Sequence, residues 1–234
     1  YFKIAAGELK KNKDMRFHKY FLSLRRNSSA VVPQVFDDNE FDQLEAKVSE
    51  LVLDESQYRK LEMDGSVRYK FKASATEQLL QISTISNFVA HTKLFTGRKV
   101  KITFMLSNTA SKNDGQLVFA GHPHIDTYRH QLKVLIPLTD IDECNGPTEV
   151  LPGSHKVKLR LMYNYFLTWI FEKKLIVGEK QFLPESVITD YNEQDNRALL
   201  TMKKKSAALL NTRALHRATN IKSGKRSILW MYLD

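Results

Sequence analysis

Apolar positions recur at helical spacing through the first hundred residues and alternate with polar ones after that. Phe17, Tyr20, Phe21 and Leu24 predict a basic amphipathic helix ending near residue 26, and Asn27-Ser28-Ser29 breaks it. Ala30-Val31-Val32-Pro33 reads as a short strand. Asp37-Asp38 offers an N-cap, and Phe41, Leu44, Val48 and Leu51 form one stripe of the helix that follows. Leu79, Leu80, Ile82, Val89 and Leu94 predict a second long helix over residues 76–95, with Gly97 as its stop.

The period then changes. Lys99 to Met105 alternates polar and apolar, as a half-buried strand does. Lys133-Val134-Leu135-Ile136-Pro137-Leu138 reads as a buried strand, and Thr148 to Gly153 as a strand and turn. Residues 159–176 have helical character, and Ala207 to Asn211 and Ser227 to Tyr232 supply two late strands. Helices first and short strands afterwards predict an α+β chain with a mainly β core, a sandwich or barrel. The expected organisation is a helical extension over residues 1–27 and a single domain over 28–234.

Composition narrows the function classes. The chain has 234 residues, 42% hydrophobic and 26% charged, which suits one globular domain with a sizeable core. Its apolar runs are too short to cross a bilayer as helices. Tyr1 to Lys13 lacks the continuous apolar stretch of a leader, and one cysteine, Cys144, excludes an internal disulfide; together these set the expectation of a cytoplasmic protein. The net charge of +10 is spread along the chain, so the Lys clusters read as solvated faces; an anionic small molecule is compatible as substrate, and nucleic acid is not expected.

The candidate chemistry sits at His124-Ile125-Asp126. Side chains two apart on a strand share a face, so His124 and Asp126 can reach one metal while Ile125 packs behind them. His216 is the only histidine after His155 and follows a predicted strand, which makes it the distal ligand. Two imidazoles and a carboxylate hold one face of a non-haem Fe(II) and leave the other open. His122 shares the parity of His124 but lacks a carboxylate two residues on, and is read with Arg129 and His130 as a substrate-facing candidate.

This stretch resembles the phytanoyl-CoA dioxygenase family of Fe(II)/2-oxoglutarate oxygenases. The resemblance runs from about residue 28 to the end, through Phe36-Asp37-Asp38-Asn39-Glu40-Phe41, Leu94-Phe95-Thr96-Gly97, His124-Ile125-Asp126, Leu132 to Asp142, Asn145-Gly146-Pro147-Thr148, Leu151 to Lys156, and Leu215-His216-Arg217-Ala218-Thr219-Asn220 up to Arg226. It implies a double-stranded β-helix (jelly roll), with His124, Asp126 and His216 on iron and Arg226 gripping the distal carboxylate of 2-oxoglutarate. An always-charged, fork-shaped guanidinium suits that task. The resemblance also implies a co-substrate contact at Met105. Many relatives carry a small polar residue where Ala218 stands, and Thr219 is the expected substitute. The Pro152-Gly153-Ser154-His155-Lys156 turn is read as architectural. The implied reaction is hydroxylation of a C–H bond with O2, releasing succinate and CO2. Two other readings are a jelly roll that binds without turnover and, less favoured, a nucleic-acid demethylase; Arg213 and Arg217 do not reproduce the arginine spacing the latter needs.

Overall fold

The structure, a computed structural model, describes residues 17–63, 66–96, 100–110, 121, 123–126, 131–156, 193 and 195–234. The helix expected at 159–176, Gly97, and the substrate-facing candidates His122, Arg129 and His130 lie outside the described residues. Helix α1 (His18–Asn27) leads into β1 (Ser29–Val32) and α2 (Asp38–Leu53). A 3-10 turn (Glu55–Gln57) precedes a hairpin of β2 (Tyr58–Met63) and β3 (Ser66–Phe71). Helices α3 (Ala73–Leu79) and α4 (Ser83–Thr96) follow. The remaining strands are β4 (Ile102–Ala110), β5 (Leu132–Pro137), β6 (Thr148–Val150), β7 (Ala198–Leu200), β8 (Ala207–Asn211), β9 (His216–Ala218) and β10 (Lys225–Leu233).

Among the described residues the strands form a seven-stranded antiparallel sheet, ordered β1-β8-β5-β10-β4-β3-β2, and a three-stranded sheet, ordered β7-β6-β9. This is the jelly roll, a double-stranded β-helix with its helices outside. Alternation along each central strand sorts side chains between two compartments. From β10, Leu229, Met231 and Leu233 enter the large core beneath the helices, while Ile228 and Trp230 turn into a smaller core between the sheets. Strand β5 divides likewise, Val134 and Ile136 against Leu135, and so does β8, Ala207 and Leu209 against Ala208 and Leu210.

The helices earn their places by apolar stripes. Phe41, Leu44, Val48 and Leu51 of α2 are all buried, and Asp37 caps the helix by accepting from the Glu40 amide at 2.8 Å. Glu40, at the third helical position, turns away from its own helix and accepts hydrogen bonds from both Ser83 and Thr84, tying α2 to the start of α4. Phe88 of α4 and Phe104 of β4 are fully buried in the same core, where truncating either to Ala costs about 3–5 kcal/mol.

Two expectations differ from the observed fold. The long helix at 76–95 is two helices, because the chain turns at Leu80–Ile82. Residues 53–75, to which no strand was assigned from sequence, carry the β2–β3 hairpin. Its sequence signal is Asp64-Gly65 between two runs of β-formers, a dipeptide that favours tight hairpin turns.

Candidate metal centre

The three metal candidates come together through the backbone. His124 and His216 form an antiparallel bridge, with reciprocal amide-to-carbonyl hydrogen bonds of 2.9 and 3.0 Å. The Asp126 amide donates to the Thr212 carbonyl at 2.9 Å. Ile125 is buried behind the pair, as the alternation requires. One ligand atom from each of His124, Asp126 and His216 lies within 4.8 Å of the other two. Asp126 Oδ1 is 3.5 Å from both Nε2 atoms.

The imidazole of His216 is set for metal binding. Its Nδ1 lies 2.9 Å from the Ala214 carbonyl, which can only accept, so Nδ1 carries the proton and Nε2 holds a lone pair. That Nε2 is buried and makes no hydrogen bond among the described residues, with Asp126 Oδ1 3.5 Å away. A buried orphaned acceptor beside a second imidazole and a carboxylate is the donor set a divalent iron takes. Burial pushes the pKa of His216 below the ordinary histidine value against the pull of Asp126, which keeps the ring in its ligating form.

Lys133 completes this cluster. It is buried on β5, its Nζ lies 3.2 Å from Asp126 Oδ2, and it packs over the rings of Trp230 and Tyr232 at 4.2 and 5.1 Å from their centroids. Burial alone would raise the pKa of Asp126. The Lys133 charge and then the His216 ring outweigh it and hold the carboxyl well below the usual carboxylate range. Burial works against the Lys133 charge too, and Asp126 restores it, so that its pKa ends above the ordinary lysine value. Sequence reading passed over Lys133. The available signal was a lone cation within an otherwise apolar buried strand, since lysine is almost never fully buried unless paired.

The cavity beside the cluster has a volume of about 90 Å³. Its wall includes Arg68, Thr109, Leu135, Ala218, Arg226 and Trp230 along with the triad. Arg226 is buried on β10, directly opposite Thr109 of β4, and donates to the Gly146 carbonyl. Burial, and then the nearby Arg68 charge, push its pKa from the ordinary arginine value down to about 10. Gly146 has φ of +80°, and a Cβ there would lie 2.8 Å from both Ile221 Cγ1 and the Thr219 carbonyl. The Asn145-Gly146-Pro147 turn therefore brings a backbone acceptor against the guanidinium in a way only glycine allows.

The remaining expectations sort by where their side chains go. Thr219 does not replace the missing polar group at Ala218: its hydroxyl donates to the Pro147 carbonyl at 2.9 Å, and Ala218 lines the cavity instead. Met105 has the cavity-facing parity on β4 and pairs with Trp230, but the cavity wall takes Thr109 from this strand. His155 sits away from the triad. Its Nε2 donates to the Arg25 carbonyl at 3.1 Å, so its Nδ1 accepts from the Ser28 hydroxyl at 2.7 Å, joining the Pro152–Lys156 turn to the end of α1. Beside His216, Arg217 and Arg197 both pair with Glu149, at 2.8 and 3.3 Å, clamping β9 to β6.

Solved structures share this architecture. The chain is similar to the non-haem, alpha-ketoglutarate-dependent epimerase SnoN from nogalamycin biosynthesis, crystallised with Fe3+, alpha-ketoglutarate and nogalamycin RO (14% identity, 93% of this chain and 83% of that chain, TM-score 0.65). It is also similar to the carbocyclase SnoK from the same biosynthesis (15% identity, 92% and 82%, TM-score 0.62). A third is HygX from Streptomyces hygroscopicus, solved with nickel, 2-oxoglutarate and hygromycin B (12% identity, 92% and 86%, TM-score 0.59). At these identities the likeness is one of fold. The family model for phytanoyl-CoA dioxygenase (PhyH) matches residues 24–228, and the chain belongs to that family of non-haem iron, 2-oxoglutarate-dependent enzymes. No curated protein matches it in sequence.

Proposed function

We propose that this protein is an Fe(II)- and 2-oxoglutarate-dependent dioxygenase that hydroxylates a C–H bond of a small anionic molecule, releasing succinate and CO2. The observation that carries the reading is the cluster of His124, Asp126 and His216, in which the buried Nε2 of His216 makes no hydrogen bond among the described residues. In this reading His124 Nε2, Asp126 Oδ1 and His216 Nε2 hold the iron, and Arg226 holds the far carboxylate of 2-oxoglutarate. Bound iron with 2-oxoglutarate and O2 supplies the oxidant that takes hydrogen from the substrate.

The chain's own groups bind, orient and exclude water. Arg226 is a permanent cation in a dry wall, where a carboxylate offsets the burial that now lowers its pKa. Leu135, Ile228 and Trp230 cover the space between Arg226 and the triad with apolar surface, which strengthens each charged contact there. Of the basic side chains in the described wall, Lys133 faces Asp126 and Arg226 is assigned to 2-oxoglutarate, so Arg68 is the one that favours an anionic substrate. A carboxylate at position 126 favours hydroxylation over halogenation, because it fills the coordination place a halide would need.

The test is conversion of 2-oxoglutarate to succinate that requires Fe(II) and is lost in His124→Ala. A folded wild-type protein that neither binds metal nor makes succinate defeats the proposal. Substrates are found by screening anionic small molecules for stimulated succinate release. A product carrying one oxygen atom from O2 supports hydroxylation. An isomerised or newly cyclised product keeps the class and overturns the hydroxylation.

A further inference from the structure

Lys133 has a geometry that packing does not require. It is the only charged residue in β5, and its side chain is 8% exposed. Leu135, its neighbour on the same face of the strand, and Leu210 across from it on β8 are apolar. A buried ammonium is costly unless paired. Here the pairing divides one carboxylate between two tasks: Asp126 Oδ2 faces Lys133 at 3.2 Å, while Oδ1 faces the two imidazoles at 3.5 Å each. The ammonium of Lys133 lies over the rings of Trp230 and Tyr232, which helps fix where it sits.

We propose that Lys133 is a positioning residue for the metal carboxylate: it takes Asp126 Oδ2, so that the metal receives one carboxylate oxygen, and it cancels the charge of that carboxylate, so that the dication keeps its pull on a dianionic co-substrate. The inference rests on the metal reading given above. A His-His-Asp shell by itself carries one negative charge, which weakens the attraction between the metal and an incoming dianion. With Lys133 in place the shell around the metal is neutral, so the dication meets the dianion without an opposing charge from its own ligands. The ammonium also blocks the second oxygen from swinging onto the metal, which leaves coordination positions open for the keto acid and O2.

This assigns opposite effects to one substitution. Lys133→Met removes a positive charge close to the metal, so divalent-metal binding without co-substrate holds or tightens, by up to about a hundredfold for a dication and a unit charge ~6 Å apart at a dielectric of about 40. Binding of the dianion to the metal-loaded protein weakens by at least about tenfold for the same reason. Lys133→Arg keeps the charge and restores dianion affinity to within a few-fold of wild type.

The measurements are Mn(II) affinity by loss of the free-ion EPR signal, affinity of the Mn(II)-loaded protein for the unreactive dianion N-oxalylglycine, and the visible spectrum of the Co(II)-loaded protein. The expected result for Lys133→Met is Mn(II) affinity held or tightened, N-oxalylglycine affinity lowered, and a Co(II) spectrum changed by the second carboxylate oxygen. If Lys133→Met does not fold, Lys133→Gln removes the charge with a neutral donor in place and carries the same expectation for the Mn(II) and N-oxalylglycine affinities. Parallel loss of Mn(II) and N-oxalylglycine binding with an unchanged Co(II) spectrum would show that Lys133 only packs, and would overturn the proposal. So would a variant that matches wild type in all three. In either case wild-type Mn(II) binding leaves the oxygenase reading standing; wild-type protein that binds no Mn(II) removes both.

Discussion

Replacing Arg226 with Met separates the cost of holding a site ready from the benefit of filling it. The guanidinium is 8% exposed and makes no ion pair among the described residues; its partner is the Gly146 carbonyl. Its pKa falls from the ordinary arginine value to about 10, which corresponds to roughly 3 kcal/mol of penalty on the charged form. Methionine keeps most of the volume and removes that penalty, together with one hydrogen bond worth about 1 kcal/mol. The metal-free, ligand-free variant is therefore expected to be about 1–2 kcal/mol more stable than wild type, a rise of a few degrees in Tm for a chain of this size. Co-substrate binding moves the other way. Truncating one partner of a buried charge pair costs about 2–5 kcal/mol, so half-saturation by 2-oxoglutarate should rise roughly thirtyfold to several thousandfold. The assay pairs thermal unfolding of the chelated protein with succinate release titrated against 2-oxoglutarate. A fall of several degrees in Tm would show that the guanidinium is already compensated in the empty protein. An unchanged 2-oxoglutarate dependence would refute its role as the anchor.

Other substitutions test the supports around the site. Gly146→Ala places a Cβ against Ile221 and the Thr219 carbonyl at positive φ, so the turn must shift; a loss of about 1–3 kcal/mol in unfolding free energy and a raised 2-oxoglutarate requirement are expected, measured by denaturant melts and titration. Asp37→Ala removes the α2 cap and should cost about 1 kcal/mol in the same melts without changing metal affinity. The pH dependence has a definite sign. His216 and Asp126 both have folded pKa values below their ordinary 6.5 and 3.8, so the unfolded chain takes up protons first as the pH falls. Their stabilising contributions are present above those ordinary values and are lost as the pH drops through the folded ones. The metal-free protein should therefore lose stability below about pH 6.5, and His216→Asn should flatten the upper part of that loss.

The chemistry was more legible than the frame around it. His124, Asp126 and His216 stand out because strand parity and a carboxylate two residues on are local properties, and the distal histidine had no competitor after His155. The central strands were legible for a similar reason: β5, β8 and β10 are short runs of β-formers whose alternation survives in sequence. The split of residues 76–95 into two helices was not, since a continuous apolar stripe does not reveal a turn made at Leu80–Ile82. The strand partners were not legible either. That β10 lies between β4 and β5, and that Arg226 therefore faces Thr109, depends on pairing between strands far apart in sequence. Lys133 was hidden by its surroundings: an apolar run was read as uniform, although its one cation pointed into the interior.

The bridge between His124 and His216 joins the ligand positions by main-chain hydrogen bonds, with the Asp126 amide fixed to Thr212 beside them. The site is thus a socket whose shape is set by peptide groups, and its side chains are removable plugs. Shortening one of them to glycine should leave a vacancy of known size and direction instead of a collapsed barrel. Imidazole in solution could then stand in for His124, and formate or acetate for Asp126. This fold could therefore be made to accept its metal ligands from the buffer, with activity set by the concentration and basicity of a molecule the experimenter chooses.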